Sequence, residues 1–207
     1  MVITRMSRGI KNPQKIAIYI DSKYTFSVLE NVVVDKKLFI GKEVSKSEID
    51  EIRSFTQFLE LRNRVLNLIS RRPHSEKEVY DYLIKKTSED NTKLIIEKLV
   101  EDKYINDYDF ANWWVEQRTA FTNKSSRLIR QELIIKGIDR EIIDEAILQI
   151  DDNQDLKSAN KLFERKLNSL NKRETDTKII KVKLTRYLIS KGFSWDTIRS
   201  LLNDNNF

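Results

Sequence analysis

A chain of 207 residues with 40% hydrophobic and 34% charged side chains carries enough apolar material for packed cores and too much to be disordered throughout. It has no cysteine, one histidine and a net charge of +6, which excludes disulfides, thiolate metal sites and cysteine nucleophiles. Four glycines and two prolines favour long helices over turn-rich β structure and leave no glycine-rich phosphate cradle, and no apolar run approaches the roughly 20 residues of a membrane span. The start, MVITRMSRGIKNPQK, is basic but lacks the apolar centre of a signal peptide, so a soluble cytoplasmic protein is expected.

In chain order, KIAIYID (15–21) and YTFSVLE (24–30) are rich in β-branched and aromatic residues and alternate with a period near two. With Asp21-Ser22-Lys23 as a polar turn they predict a β-hairpin, and LFI at Leu38–Ile40 is the candidate for a third short strand. Two or three strands cannot hold a core alone, so a helix must cover them. Gly41 ends this piece, and Ser45 with Glu48 spells a capping box that opens a long helix carrying Ile49, Ile52, Phe55, Leu59, Leu61, Val65, Leu66 and Ile69. Pro73 stops that helix after Arg71-Arg72. His74 follows, expected as an exposed residue of the cap region rather than a catalytic or metal-binding one. Ser75 with Glu78 opens the next helix, whose stripe is Val79, Leu83 and Ile84. Another helix carries Leu94, Ile95, Leu99 and Val100, and one from Asn106-Asp107 carries Phe110, Trp113, Trp114 and Val115.

From here the pattern repeats. RQELIIKGIDREIIDEAI (130–147) and TRYLISKGFSWDTIRSLL (185–202) spell the same helix, Lys-Gly stop and second helix. In one register Val79, Ile129 and Leu184 coincide, as do Leu83, Leu133 and Leu188, and Lys86, Lys136 and Lys191 close the leading helices. The lysine suits the negative helix end, Gly137 and Gly192 take the left-handed conformation past it, Ile138 or Phe193 tucks inward, and Asp139 or Ser194 caps the next helix. The first copy lacks the glycine. One unit buries too little to stand alone, so neighbours must stack. The expected fold is mainly α: elongated tandem repeats of short three-helix units with a small N-terminal β-hairpin. The expected divisions are 1–44 for the hairpin extension and 45–122, 123–173 and 174–207 for the first, second and third repeats.

Charge is unevenly spread. Lys157–Lys191 holds 11 basic and 3 acidic residues, which suggests a surface facing a polyanion. The leading helix of the second copy has Lys124, Arg127, Arg130 and Lys136 against the single acid Glu132, and that of the third has Lys178, Lys181, Lys183, Arg186 and Lys191 with no acid. The second helix of the second copy, 139–152, has six acids against Arg140. A positive stripe along one side is one outcome of this layout; pairing between adjacent helices is the other. Trp113, Trp114, Phe163, Phe193 and Trp195 are expected to fill cores between helices rather than stack on bases.

Four stretches, RRPHSEKEVYDYL, INDYDFANWWVEQR, SRLIRQELIIKGI and RYLISKGFSWDTIRSLL, resemble in that order the landmarks of the RecX family of bacterial recombination regulators. The likeness runs from about Leu59 to Asn203, and the hairpin resembles an extension found in some members. TAFTNKSS, where the family usually has a glycine, and the absent glycine after Lys86 are departures that touch loop shape. The resemblance implies a monomeric, non-enzymatic modulator that lies in the groove of the RecA–DNA filament and restrains RecA, with single- and double-stranded DNA as electrostatic partners and no cofactor, metal or membrane. By position the candidate contacts are Arg71, Arg72, Arg127, Arg130, Lys136, Lys181, Lys183, Arg186 and Lys191. The alternatives are a stand-alone helix-turn-helix DNA-binding protein and an enzyme built on Asp/Glu pairs.

Overall fold

The computed structural model describes residues 1–9, 12–150, 153–205 and 207. Among these, three strands precede ten helices: β1 (Ile3–Arg8), β2 (Lys15–Ile20), β3 (Lys23–Leu29), α1 (Glu30–Asp35), α2 (Lys46–Ile69), α3 (Glu76–Leu83), α4 (Glu89–Glu101), α5 (Asp107–Thr122), α6 (Ser126–Ile135), α7 (Arg140–Leu148), α8 (Gln154–Asn171), α9 (Thr177–Ser190) and α10 (Trp195–Asp204). They fall into two compact units, Met1–Arg72 with Leu83–Tyr104, and Pro73–Tyr82 with Ile105–Phe207.

In the first unit β2 and β3 form the expected hairpin. Asp21 and Ser22, its two turn residues, both take positive φ, as a two-residue turn between right-twisting strands requires. The third strand is not Leu38–Ile40 but β1, antiparallel to β2, with Met6 opposite Ile18 and Arg8 opposite Ile16. Leu38 is buried outside any strand, while Phe39 and Ile40 beside it are exposed. The polar residues of β1 hide its strand character, which comes from pairing with a distant partner rather than from its own composition. Ile16, Ile18, Ile20, Phe26 and Val28 face Ile49 and Ile52 of α2 in one core, so the helix covers the sheet as its size demands. α2 starts at a complete capping box in which Ser45 and Glu48 bond each other's backbone N–H. α4, capped by Ser88, packs on α2, where Arg62 pairs with Asp102 at 2.7 Å.

The second unit holds two three-helix cores. α5, α6 and α7 enclose Phe110, Trp114, Ile129, Leu133, Ile143 and Ala146. α8, α9 and α10 enclose Phe163, Leu184, Leu188, Phe193, Ile198 and Leu202. The register read from the sequence is also a register of burial: Val79, Ile129 and Leu184 are all fully buried, and so are Leu83, Leu133 and Leu188. Gly137 and Gly192 have φ of 81° and 85°, and each ends its helix in a Schellman motif: Ile138 N–H reaches Leu133 O at 3.1 Å, and Phe193 N–H reaches Leu188 O at 3.3 Å. Ser194 caps α10 by accepting from Thr197 N–H, but Asp139 makes no such bond at the start of α7. Phe163, Phe193 and Trp114 are core, as expected. Trp195 is not: it occupies the first position of α10, one turn before the first buried residue Ile198, and is 58% exposed. His74, expected at the surface, is buried, because Ser75 beside it is bonded to the end of α6.

That bond belongs to a junction used twice. Ser75 Oγ donates to Lys136 O at 2.8 Å, Lys77 lies against Gly137, and Glu76 N–H donates to Asp107 at 2.9 Å. Fifty residues on, Ser125 N–H points at Lys191 O at 3.4 Å, Ser125 and Leu128 lie against Gly192, and Ser126 N–H donates to Asp155 at 2.9 Å. The N-termini of α3 and α6 thus rest on the C-termini of α6 and α9, so opposite dipole ends adjoin. This explains the missing glycine after Lys86. α3 closes with Thr87 N–H on Leu83 O, and the chain contains no earlier copy of the helix to land there.

At the first junction three carboxylates converge. Burial and the charges of Asp107 and Asp139 push Glu76 above the usual carboxylate range, and burial and Asp139 push Asp107 up although Glu76 N–H opposes it. For an acid raised in the folded state, stability is highest below its unfolded pKa and falls as pH rises through the folded one. Asp107→Asn, which keeps an acceptor for Glu76 N–H, should therefore raise the melting temperature at pH 7, and the gain should vanish under acid conditions where aspartates are protonated. Melting curves of both proteins across pH decide it.

Candidate nucleic-acid interface

α9 is built to carry cations. Asp176 caps it by accepting from Lys178 and Ile179 N–H, and the helix then runs to Lys191 without an acid. Its buried line, Ile180, Leu184 and Leu188, leaves Lys178, Lys181, Lys183 and Arg186 exposed. α6, capped by Ser125, buries Ile129 and Leu133 and leaves Arg127 exposed.

The structure divides the nine predicted residues by what they already touch. Lys136 is ion-paired with Glu78 across the first junction and sits 5.1 Å from the Trp114 ring, so it holds the fold. Arg130 pairs with Asp144 of α7, and Lys183 pairs with Glu174 at 3.0 Å. The Arg130–Asp144 pair is largely exposed and contributes about 0–1 kcal/mol, Lys183 is half-exposed beside a more sheltered Glu174, and either cation can exchange its partner for a phosphate. Lys191 is half-buried, its ammonium 5.5 Å from the Tyr187 ring. Arg127, Lys181 and Arg186 are exposed and make no ion pair among the described residues; in the first unit the same holds for Arg71, while Arg72 is half-buried. They are not one line. Helical spacing puts Lys178 with Lys181 and Lys183 with Arg186, on two ridges of α9. Internal pairing, the other outcome of the charge layout, holds for α6 and α7 through Arg130 and Asp144; Asp151 and Asp152 of the predicted acidic helix lie outside the described residues.

Glu132 shows what counting charges misses. The one acid of the basic leading helix accepts from Trp114 Nε1 at 2.9 Å, Arg118 Nε at 2.8 Å and Lys124 Nζ. Arg118 also stacks 4.1 Å from the Trp114 ring. Burial alone pushes this carboxyl up, but the bonds from Lys124 and Trp114 and the charges of Arg118 and Lys124 outweigh it and hold Glu132 below the usual range. A lone acid among cations was the signal in the sequence. Among the described residues no cluster of three or more His, Cys, Asp or Glu is placed to hold a metal, and no helix is long and apolar enough to cross a membrane.

Comparison with known proteins accounts for nearly the whole chain. Family profiles match residues 1–45 as the regulatory protein RecX N-terminal domain, 62–99 as the RecX first three-helix domain, 106–147 as the second and 152–202 as the third. The regulatory protein RecX of Listeria welshimeri is 36% identical over 201 residues, 97% of this chain and 74% of that one. Its counterpart from Clostridium tetani is 30% identical over 202 residues, 97% of this chain and 93% of that one. Among solved structures, a regulatory protein RecX superposes with a TM-score of 0.73 at 26% identity, covering 98% of both chains, and RecX from Lactobacillus salivarius with 0.61 at 28%, covering 72% and 96%. With strands, leading helices and Lys-Gly junctions all falling within the matched domains, this chain belongs to the RecX family of regulatory proteins.

Proposed function

We propose that the chain binds the RecA–DNA filament and modulates RecA, mainly by inhibiting its recombinase and ATPase activity, with cations of the leading helices lying in the filament groove. The observation that carries this beyond family membership is α9, an acid-free helix with exposed Lys178, Lys181 and Arg186. The protein acts in this reading as a cytoplasmic monomer, without catalytic chemistry or cofactor, and touches DNA through phosphates rather than base edges.

ATP hydrolysis by RecA filaments on single-stranded DNA tests it. Stoichiometric protein at low salt should slow hydrolysis, and an unchanged rate would sink the reading. Sequence-selective duplex binding without RecA would instead support a stand-alone DNA-binding protein. Arg71→Gln, Arg127→Gln and Lys181→Gln together should weaken binding to the filament and lower the log–log salt slope by about one for each phosphate no longer neutralised. Titrations at several salt concentrations measure both.

A further inference from the structure

α9 is two-faced. Opposite its buried line, Ile179, Val182, Arg186 and Ile189 recur at spacings of three, four and three, which places them on one outward line. The three aliphatic residues are 41%, 48% and 55% exposed. Lys178 borders the line on one side and Lys183 on the other. A single exposed aliphatic residue needs no explanation, but this one recurs. The register that aligns the buried Val79, Ile129 and Leu184 also aligns Ile84, Ile134 and Ile189, and all three isoleucines are exposed. The cores do not require an apolar residue there.

The chemistry of the line selects its occupant. Lys178 on the border and Arg186 on the line make no ion pair among the described residues, and Lys183 on the other border is held by Glu174 just before the helix. α9 itself has no acid, so the occupant carries carboxylates or phosphates. No aromatic residue lies on the line, so it offers bases nothing to stack on, and branched aliphatic side chains gain nothing from a sugar–phosphate backbone. A protein surface that joins apolar side chains to carboxylates matches both halves. We propose that the outward face of α9, through Ile179, Val182, Arg186 and Ile189, docks onto an acidic, apolar surface of the protein subunits of the filament rather than onto its DNA. This inference rests on the filament reading above.

The test compares two affinities of the full-length chain, for RecA filaments on single-stranded DNA and for the same DNA bare. Ile179→Ser, Val182→Ser and Ile189→Ser combined should weaken filament binding about tenfold or more and leave bare-DNA binding unchanged. A second variant, Val182→Lys with Ile189→Lys, keeps helix-favouring residues at exposed positions. It should also weaken filament binding while bare-DNA binding holds or tightens. Thermal unfolding shows that each variant is folded. Filament affinity unchanged in both, or equal losses on filament and bare DNA, overturns the docking face alone. A wild-type chain that does not bind the filament overturns the functional reading and this inference with it.

Discussion

Gly192→Ala should lower the unfolding free energy by about 2–4 kcal/mol, the sum of a backbone and a packing cost. Gly192 sits at φ 85°, where an alanine gives up about 1–2 kcal/mol by adopting the left-handed conformation. The added Cβ would also run into Ser125 Oγ and lie 3.0 Å from Leu128 Cβ, at the start of the preceding leading helix. Gly41→Ala separates the two costs. Gly41 has φ 97° with nothing within 4 Å of an added Cβ, so its substitution carries the backbone cost alone. Gly137, where a Cβ would meet Lys77 Cβ at 2.7 Å, should behave like Gly192, somewhat softened because part of what it meets is a flexible side chain. Denaturant unfolding of the three alanine variants measures the differences, and equal losses at Gly41 and Gly192 would refute the junction account.

Glu132→Ala should cost about 2–3 kcal/mol, less than the loss of a fully buried ion pair because the stranded cations still reach water. The Glu132 side chain is 19% exposed, and Arg118 and Lys124, at 29% and 26%, are only partly sheltered. Three donors lose one acceptor together, so the effect should exceed that of breaking the exposed Arg130–Asp144 pair, which is within about 1 kcal/mol. The carboxyl is held below its ordinary range in the fold. Its contribution is therefore complete above the unfolded pKa of a glutamate and is lost as pH falls toward the folded one. Glu132→Gln should remove that part of the acid sensitivity, which melting temperatures at descending pH would register. This dependence runs opposite to that of Asp107, so the two variants should shift the acid limb of the stability curve in opposite directions.

Much of this protein was legible before folding because its signals are local. Caps at Ser45, Ser75 and Ser194, the Pro73 stop and the Lys-Gly closures act within a turn or two, so their meaning survives without tertiary context. Repetition amplified them: a register set by Val79, Ile129 and Leu184 is a pattern that one copy could not have established. What stayed hidden depends on partners far apart in the chain. β1 is a strand because β2 pairs with it, His74 is buried because Ser75 reaches Lys136, and Trp195 is exposed although its neighbour Phe193 is core. A period of 50 and then 55 residues also does not say which flanking helix shares a core with a leading one; packing decides that. Among the site residues, sequence could count the cations but not their commitments. Only the folded chain shows that Lys136 is bound to Glu78 while Arg127 and Lys181 are exposed without an ion pair among the described residues, because whether a charge is available is a property of its neighbours in space.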